Sequence, residues 1–147
     1  MHKNKRLIFT AVLAAILLFA AGCSSLPAPD VYVIDDDSVA SITQVVGSRR
    51  LAEASEDVLT DENGMKSLVY RYTNVKSPQE DLIKYVEYLR GNGFVSLMEA
   101  DLTQMPGLLQ LGAPSTASSR AFIITIAYYD SGYDVQVDQA AGEINVY

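Results

Sequence analysis

Carboxylates, tyrosines and one cysteine are the residues of this chain that could do chemistry. The 147 residues include 18 Asp and Glu, nine Tyr, one His (His2), one Cys (Cys23) and no Trp. Two carboxylates flanking a glycosidic bond can act as general acid and base, or as acid and nucleophile. Glu53 with Glu56 and Asp57, or Glu99 with Asp101, are the candidate pairs. They lie in strand-like segments, where alternate polar residues are ordinarily solvated. Tyr128, Tyr129 and Tyr133 surround the turn at Gly132. A rigid ring with a hydroxyl can stack on a sugar or a peptide, so these three are candidate ligand contacts. Tyrosine is also a favoured strand residue, which explains the same cluster without a ligand.

Other chemistries are excluded by what the chain lacks. His2 lies in a leader-like segment, and Cys23 directly follows it. Beyond Cys23 there is no imidazole or thiol to build a Ser-His or Cys-His nucleophile system, or a zinc site. Neither a Ser-x-x-Lys motif nor a Gly-rich phosphate loop occurs. Asp61, Asn63 and Gly64 fit positions 3, 5 and 6 of a calcium loop, but positions 1 and 12 would be Leu59 and Tyr70. A hairpin turn explains them better. Asp35 to Asp37 could hold a divalent cation loosely, although a solvated acidic segment accounts for them. No cofactor is expected.

The elements that must position these residues begin after a processing signal. Lys3, Lys5 and Arg6 precede the apolar run Leu7 to Ala21, which is followed by small residues and Cys23. This is a positive n-region, a short h-region and a cleavage site. This run of fifteen residues, apolar apart from Thr10, falls short of the roughly 20 needed for a membrane span. Ala20-Ala21-Gly22-Cys23 resembles a bacterial lipobox, with Ala20 where Leu is usual. The resemblance implies cleavage before Cys23, acylation of Cys23 and attachment to the membrane on its outer side. An uncleaved anchor helix or a plain secretory signal is the alternative. Ser24 lacks the inner-membrane retention signal, so in a two-membrane organism the expected address is the outer membrane.

Removing residues 1–22 leaves 125 residues, one domain's worth. The leader takes Lys3, Lys5 and Arg6 with it, leaving eight Lys and Arg against 18 Asp and Glu, a net charge of -10. Such a surface repels phosphate backbones, so no nucleic-acid partner is expected. Acyl chains rather than a basic surface must then hold the protein to a membrane.

Residues 23–37 read as the lipidated cysteine and a tether rich in Ser, Pro and Asp, with an apolar patch at Val31 to Ile34 that could add a strand. The folded domain is expected over 38–147. Val39, Ile42, Val45 and Val46 predict a short N-terminal helix, with Ser38 as cap and Gly47 as stop. Arg49 to Val58 and Lys66 to Asn74 predict a hairpin around Asn63-Gly64. Ser77-Pro78-Gln79-Glu80 reads as a capping box opening a helix to Arg90. Its apolar stripe is Leu82, Tyr85, Val86 and Leu89, helped by Ile83, and Glu80 and Lys84 are spaced to pair. Phe94 to Ala100 predicts a strand, and Asp101 to Ser119 a connector with a Leu-rich centre (Leu108, Leu109, Leu111). A strand meander follows over Ala121 to Tyr129, Tyr133 to Asp138 and Glu143 to Tyr147. The first of these is apolar on both faces and should be covered on both.

The fold class expected is α+β: an antiparallel sheet of five to six strands with one main helix on one face, plus the short N-terminal helix. The β-β-α-β order resembles small exported lipoproteins of Gram-positive bacteria, a likeness that carries no activity with it. The function expected is a lipid-anchored, non-enzymatic module that binds or scaffolds an envelope protein or glycan. The alternative is a small carboxylate-dependent hydrolase acting on cell-wall glycan.

Overall fold

The computed structural model describes residues 25–58, 66–98, 100–116 and 119–144. Residues 1–24, with the expected leader and Cys23, the expected turn at Asn63-Gly64, Glu99 and residues 145–147 lie outside the described residues. Elements run in the order β1 (Val31–Ile34), β2 (Asp37–Ala40), α1 (Ile42–Val46), β3 (Arg50–Val58), β4 (Lys66–Thr73), α2 (Pro78–Gly91), β5 (Val95–Met98), β6 (Gly107–Pro114), β7 (Arg120–Tyr129) and β8 (Gly132–Ala141). The protein is mostly sheet. Six antiparallel strands in the order β3-β4-β8-β7-β6-β5 form one sheet, and one main helix packs on it.

Alternation along the strands decides which side the helix takes. Tyr72 lies opposite Tyr133, Tyr133 opposite Tyr128, Ile126 opposite Leu109, and Ile124 between Val137 and Leu111. These side chains share one face and are buried. Leu82, Tyr85 and Leu89 of α2 are fully buried too, so the helix supplies the facing layer of the core. Ile83 is exposed rather than part of the stripe, because it falls about 100° round the helix from Leu82. Asp81 takes its place among the buried residues of the helix. Ser77 makes no side-chain cap and Glu80 no ion pair with Lys84. The start of the helix is held instead by Pro78 and by the Asp81 N–H donating to the Ser77 carbonyl at 3.2 Å.

The segment expected to be a tether is built into the fold. Val31–Ile34 and Asp37–Ala40 form a hairpin of their own, closed by Asp35 and Asp36. Asp35 sits at φ 49°, a left-handed conformation that Asp tolerates better than most residues. Tyr32 and Ile34 point into the core. The domain therefore starts well before residue 38, because Tyr32, Ile34 and Val39 are needed to cover the sheet beside α2. Even Leu26 pairs with Leu51 on the edge of β3. A helix does follow, but only over Ile42–Val46. The first half of the expected helix is β2, and the capping position is Ser41 rather than Ser38.

The expected connector over 101–119 contains β6, paired along its whole length with β7. Pro106 precedes the strand, Gly107 and Pro114 are its end residues and Gly112 sits within it, while Leu109, Leu111 and Ala113 alternate inward. Gly107 is required by a close approach: a Cβ there would lie 2.2 Å from the Tyr128 ring. β7 is covered fully on one face only. Phe122, Ile124, Ile126 and Tyr128 are buried, while the other face grades from buried Ala121 through half-buried Ile123 and Thr125 to exposed Ala127. β8 runs unbroken to Ala141, and Glu143 and Ile144 are not strand.

Candidate functional site

Three polar constructions hold the layers together and leave the hollows between them. The first is at the head of α2. Arg49, in the link from α1 to β3, donates Nε and Nη2 to the two carboxylate oxygens of Asp81, each at 2.6 Å. Tyr133 of β8 donates its hydroxyl to the same carboxylate at 3.0 Å. Asp81 is thus fully engaged although it is buried. A forked guanidinium matches a carboxylate in both charge and plane, which is how a buried carboxylate is best compensated.

The second is a run of tyrosines. Tyr32 stacks on Tyr70 at 4.7 Å, shares a hydrogen bond of 2.9 Å with the Tyr72 hydroxyl, and accepts the Ile42 N–H. Tyr72 in turn packs against Tyr133. Tyr85 donates to the Ala40 carbonyl at 3.0 Å. Burial pushes the Tyr72 phenol up to about 12. Burial raises Tyr133 further, with the charge of Asp81 added to it. Both phenols keep their protons, and Tyr133 serves as a neutral donor to Asp81.

The third is a carboxylate lock. Asp37 opens β2 and turns inward, where it accepts hydrogen bonds from Ser115 Oγ, the Thr116 N–H and hydroxyl, and Gln139 Nε2. Gln139 also bridges to the Ile34 carbonyl and accepts from Arg120. Burial pushes the Asp37 carboxyl up, but these donors outweigh it and hold the carboxyl below its ordinary value.

The residues singled out from sequence are dispersed by this architecture. Tyr128 and Tyr133 are core residues, and their hydroxyls bond to the Asp101 carbonyl and to Asp81. Tyr129 points to the opposite face and bonds to Asp134. The expected aromatic platform is therefore absent, because the hairpin at Gly132 sends residues of opposite parity to opposite faces. Glu53 is exposed and pairs with Arg71. Glu56 is exposed, and Asp101 receives the Thr103 N–H and hydroxyl in a surface turn. Asp35 and Asp36 lie in a hairpin turn while Asp37 is buried, so the three do not form one acidic surface. Among the described residues no three of His, Cys, Asp and Glu converge where a metal could sit. Cys23, the Asp61-Asn63-Gly64 turn and Glu99 lie outside the described residues. No helix among the described residues is long and apolar enough to cross a membrane.

What sequence reasoning missed is a basic hollow of about 320 Å³ at the head of α2. The Arg49–Asp81 pair forms part of its wall. Arg50 at the start of β3, Lys76 before the helix and Lys84 on its second turn line the rest, with Glu80 the opposing charge. A neighbouring cleft shares Ser48 and Arg49 with it and is lined by Ser25, Leu26, Pro27 and Ala28. The basic hollow is thus beside the point where the chain enters the fold. A third hollow, about 480 Å³, lies between α2 and the β5–β6 edge and is lined by Ile83, Val86, Met98, Leu102 and Leu109, with Glu87 and Arg90 among its polar residues. The one available sequence signal for the basic hollow was Arg49-Arg50 together with Lys76 and Lys84, four of the eight cations after Cys23. The chain matches no protein-family model, no curated protein and no solved structure.

Proposed function

We propose that the protein is an extracytoplasmic lipoprotein held to the membrane through acylated Cys23, and that its domain binds or scaffolds another component of the cell envelope without catalysing a reaction. The observation that carries this reading is the way the chain enters the fold. Leu26 already pairs with β3, and residues 25–28 line a cleft against Thr43, Gln44 and Arg49. Only Ser24 lies between Cys23 and Ser25, a reach of at most about 7 Å. An anchor at Cys23 would therefore hold the domain close against the bilayer, with the basic hollow beside the attachment point. This differs from the long, free tether that the composition of residues 24–37 suggests.

Binding is favoured over chemistry by how the carboxylates are used. Asp37 and Asp81 are consumed by internal donors, and Glu53 and Asp101 sit in surface pairs and turns. The hydrolase alternative has no observation in its favour among the described residues.

Replacing Cys23 tests the reading. Cys23→Ala should abolish partition into the detergent phase, remove the lipid mass and leave unprocessed precursor. Normal processing with no difference in lipid mass from wild type would overturn the anchor. Turnover of cell-wall glycan by the purified protein would overturn the non-enzymatic half.

A further inference from the structure

The basic hollow at the head of α2 is a surplus of positive charge in a chain whose formal net charge is -7. Arg49 is already committed to Asp81, and these two charges cancel. Arg50, Lys76 and Lys84 reach the hollow from three different segments, and among the described residues none of them has a carboxylate within ion-pair distance. Helical spacing offers Lys84 a partner in Glu80, yet that pair is not made. Setting Glu80 against the three leaves two positive charges facing a space of about 320 Å³. Ser48, Asn74 and Ser77 add hydroxyl and amide donors to the lining.

Like charges gathered without a counterion raise the local potential and concentrate anions of the opposite charge. The cost of gathering them is offset when an anion occupies the space between them. The Arg49–Asp81 fork forms part of the wall of the hollow, and the three segments that carry the other cations meet around it. Phosphate suits this arrangement. Its charge at neutral pH is close to two for a monoester, and its oxygens accept from Lys, Arg and hydroxyl donors together.

We propose that this hollow binds a phosphate group, contacted by Lys76 and Lys84 with Arg50 at the rim. The phosphate is borne either on a lipid headgroup or on a soluble glycerol phosphate. The proposal takes the hollow as the binding site of the module described above, but it does not require the lipid on Cys23.

Calorimetric titration of the full chain in neutral detergent tests it, with inorganic phosphate, glycerol 3-phosphate and short-chain phosphatidylglycerol as probes. Saturable binding of at least one probe is expected. The double change Lys76→Gln with Lys84→Gln should weaken it by about tenfold or more, the loss of charge-assisted hydrogen bonds. Both lysines are exposed, so the variant should melt with the wild type. Glu80→Gln should instead tighten binding, a gain that misfolding cannot imitate. Preference for phosphatidylglycerol over glycerol 3-phosphate would identify a headgroup as the source, and the reverse a soluble phosphate. No saturable binding of any probe, or binding unchanged in the lysine variant, overturns the proposal. A lipid-anchored protein that binds none of these probes would leave the anchor reading standing and remove only the phosphate.

Discussion

Arg49 grips Asp81 through two nitrogens, Nε and Nη2, and so joins the α1–β3 link to the helix that covers the sheet. The Asp81 side chain is 4% exposed and that of Arg49 is 28% exposed. Removing the acid leaves a partly buried cation and the Tyr133 hydroxyl without their acceptor. Asp81→Ala should therefore cost about 3 kcal/mol or more, as for other broken buried pairs. Arg49→Lys keeps the charge but loses the fork, and should cost less, on the order of 1 kcal/mol. Denaturant titration separates the two. Equal losses would mean that charge, rather than forked geometry, holds the head of the helix.

Asp37 should make part of the stability depend on pH. Its carboxyl is held below the ordinary value by its four donors, despite burial. A depressed folded pKa contributes stability that is present above the unfolded value, near ~3.9, and is lost as pH falls through the folded value. Asp37→Asn keeps the shape but replaces an acceptor oxygen with an NH₂ facing donors. It should cost about 1 to 3 kcal/mol at pH 7. The gap between wild type and variant should narrow below about pH 4. Urea titrations at pH 7 and pH 3 measure it, and a gap independent of pH would show that the ionised form is not what the lock selects.

Leu89 and Glu87 test the packing of α2. Leu89 is completely buried beneath the helix and Glu87 is exposed. Leu89→Ala should cost about 2 to 5 kcal/mol. Glu87→Ala should change stability by less than about 0.5 kcal/mol. Comparable effects in denaturant titration would contradict the burial of this face.

Gly132 and Gly91 should respond in opposite directions to the same substitution. A Cβ on Gly132 would lie 2.1 Å from the Tyr72 carbonyl oxygen, in a sheet that cannot part locally without breaking the β4–β8 ladder. Gly132→Ala should destabilise by about 1 to 3 kcal/mol. Gly91 ends α2, and a Cβ added there would meet nothing within 4 Å. Gly91→Ala should be neutral or stabilise by up to about 1 kcal/mol, because alanine loses less backbone freedom on folding. Thermal melts of the two variants decide it.

Local signals made part of this fold legible. The helix from Pro78 was readable because its apolar residues recur at 3.6 and proline opens it. The β3–β4 pairing and the alternation of Tyr133, Val135 and Val137 were readable because strand period is a property of a few consecutive residues. β6 was not, since proline and glycine at its ends carry the same local signature in a loop as at a strand boundary. Only the full pairing with β7 distinguishes the two cases.

By itself the sequence determined the absence of thiol and imidazole chemistry from residues 24–147, the main helix and the parity of the strands flanking it. These depend on composition, or on neighbours close along the chain. The tertiary structure decided the rest. It drew Val31–Ile34 into the core and turned Asp37 inward to meet Ser115 and Gln139. It buried Tyr128 and Tyr133 while sending Tyr129 to the other face. It also brought Arg50, Lys76 and Lys84 around one hollow. Each of these outcomes joins residues far apart in the chain, and the energy that selects them is burial and pairing across layers, which no local period encodes.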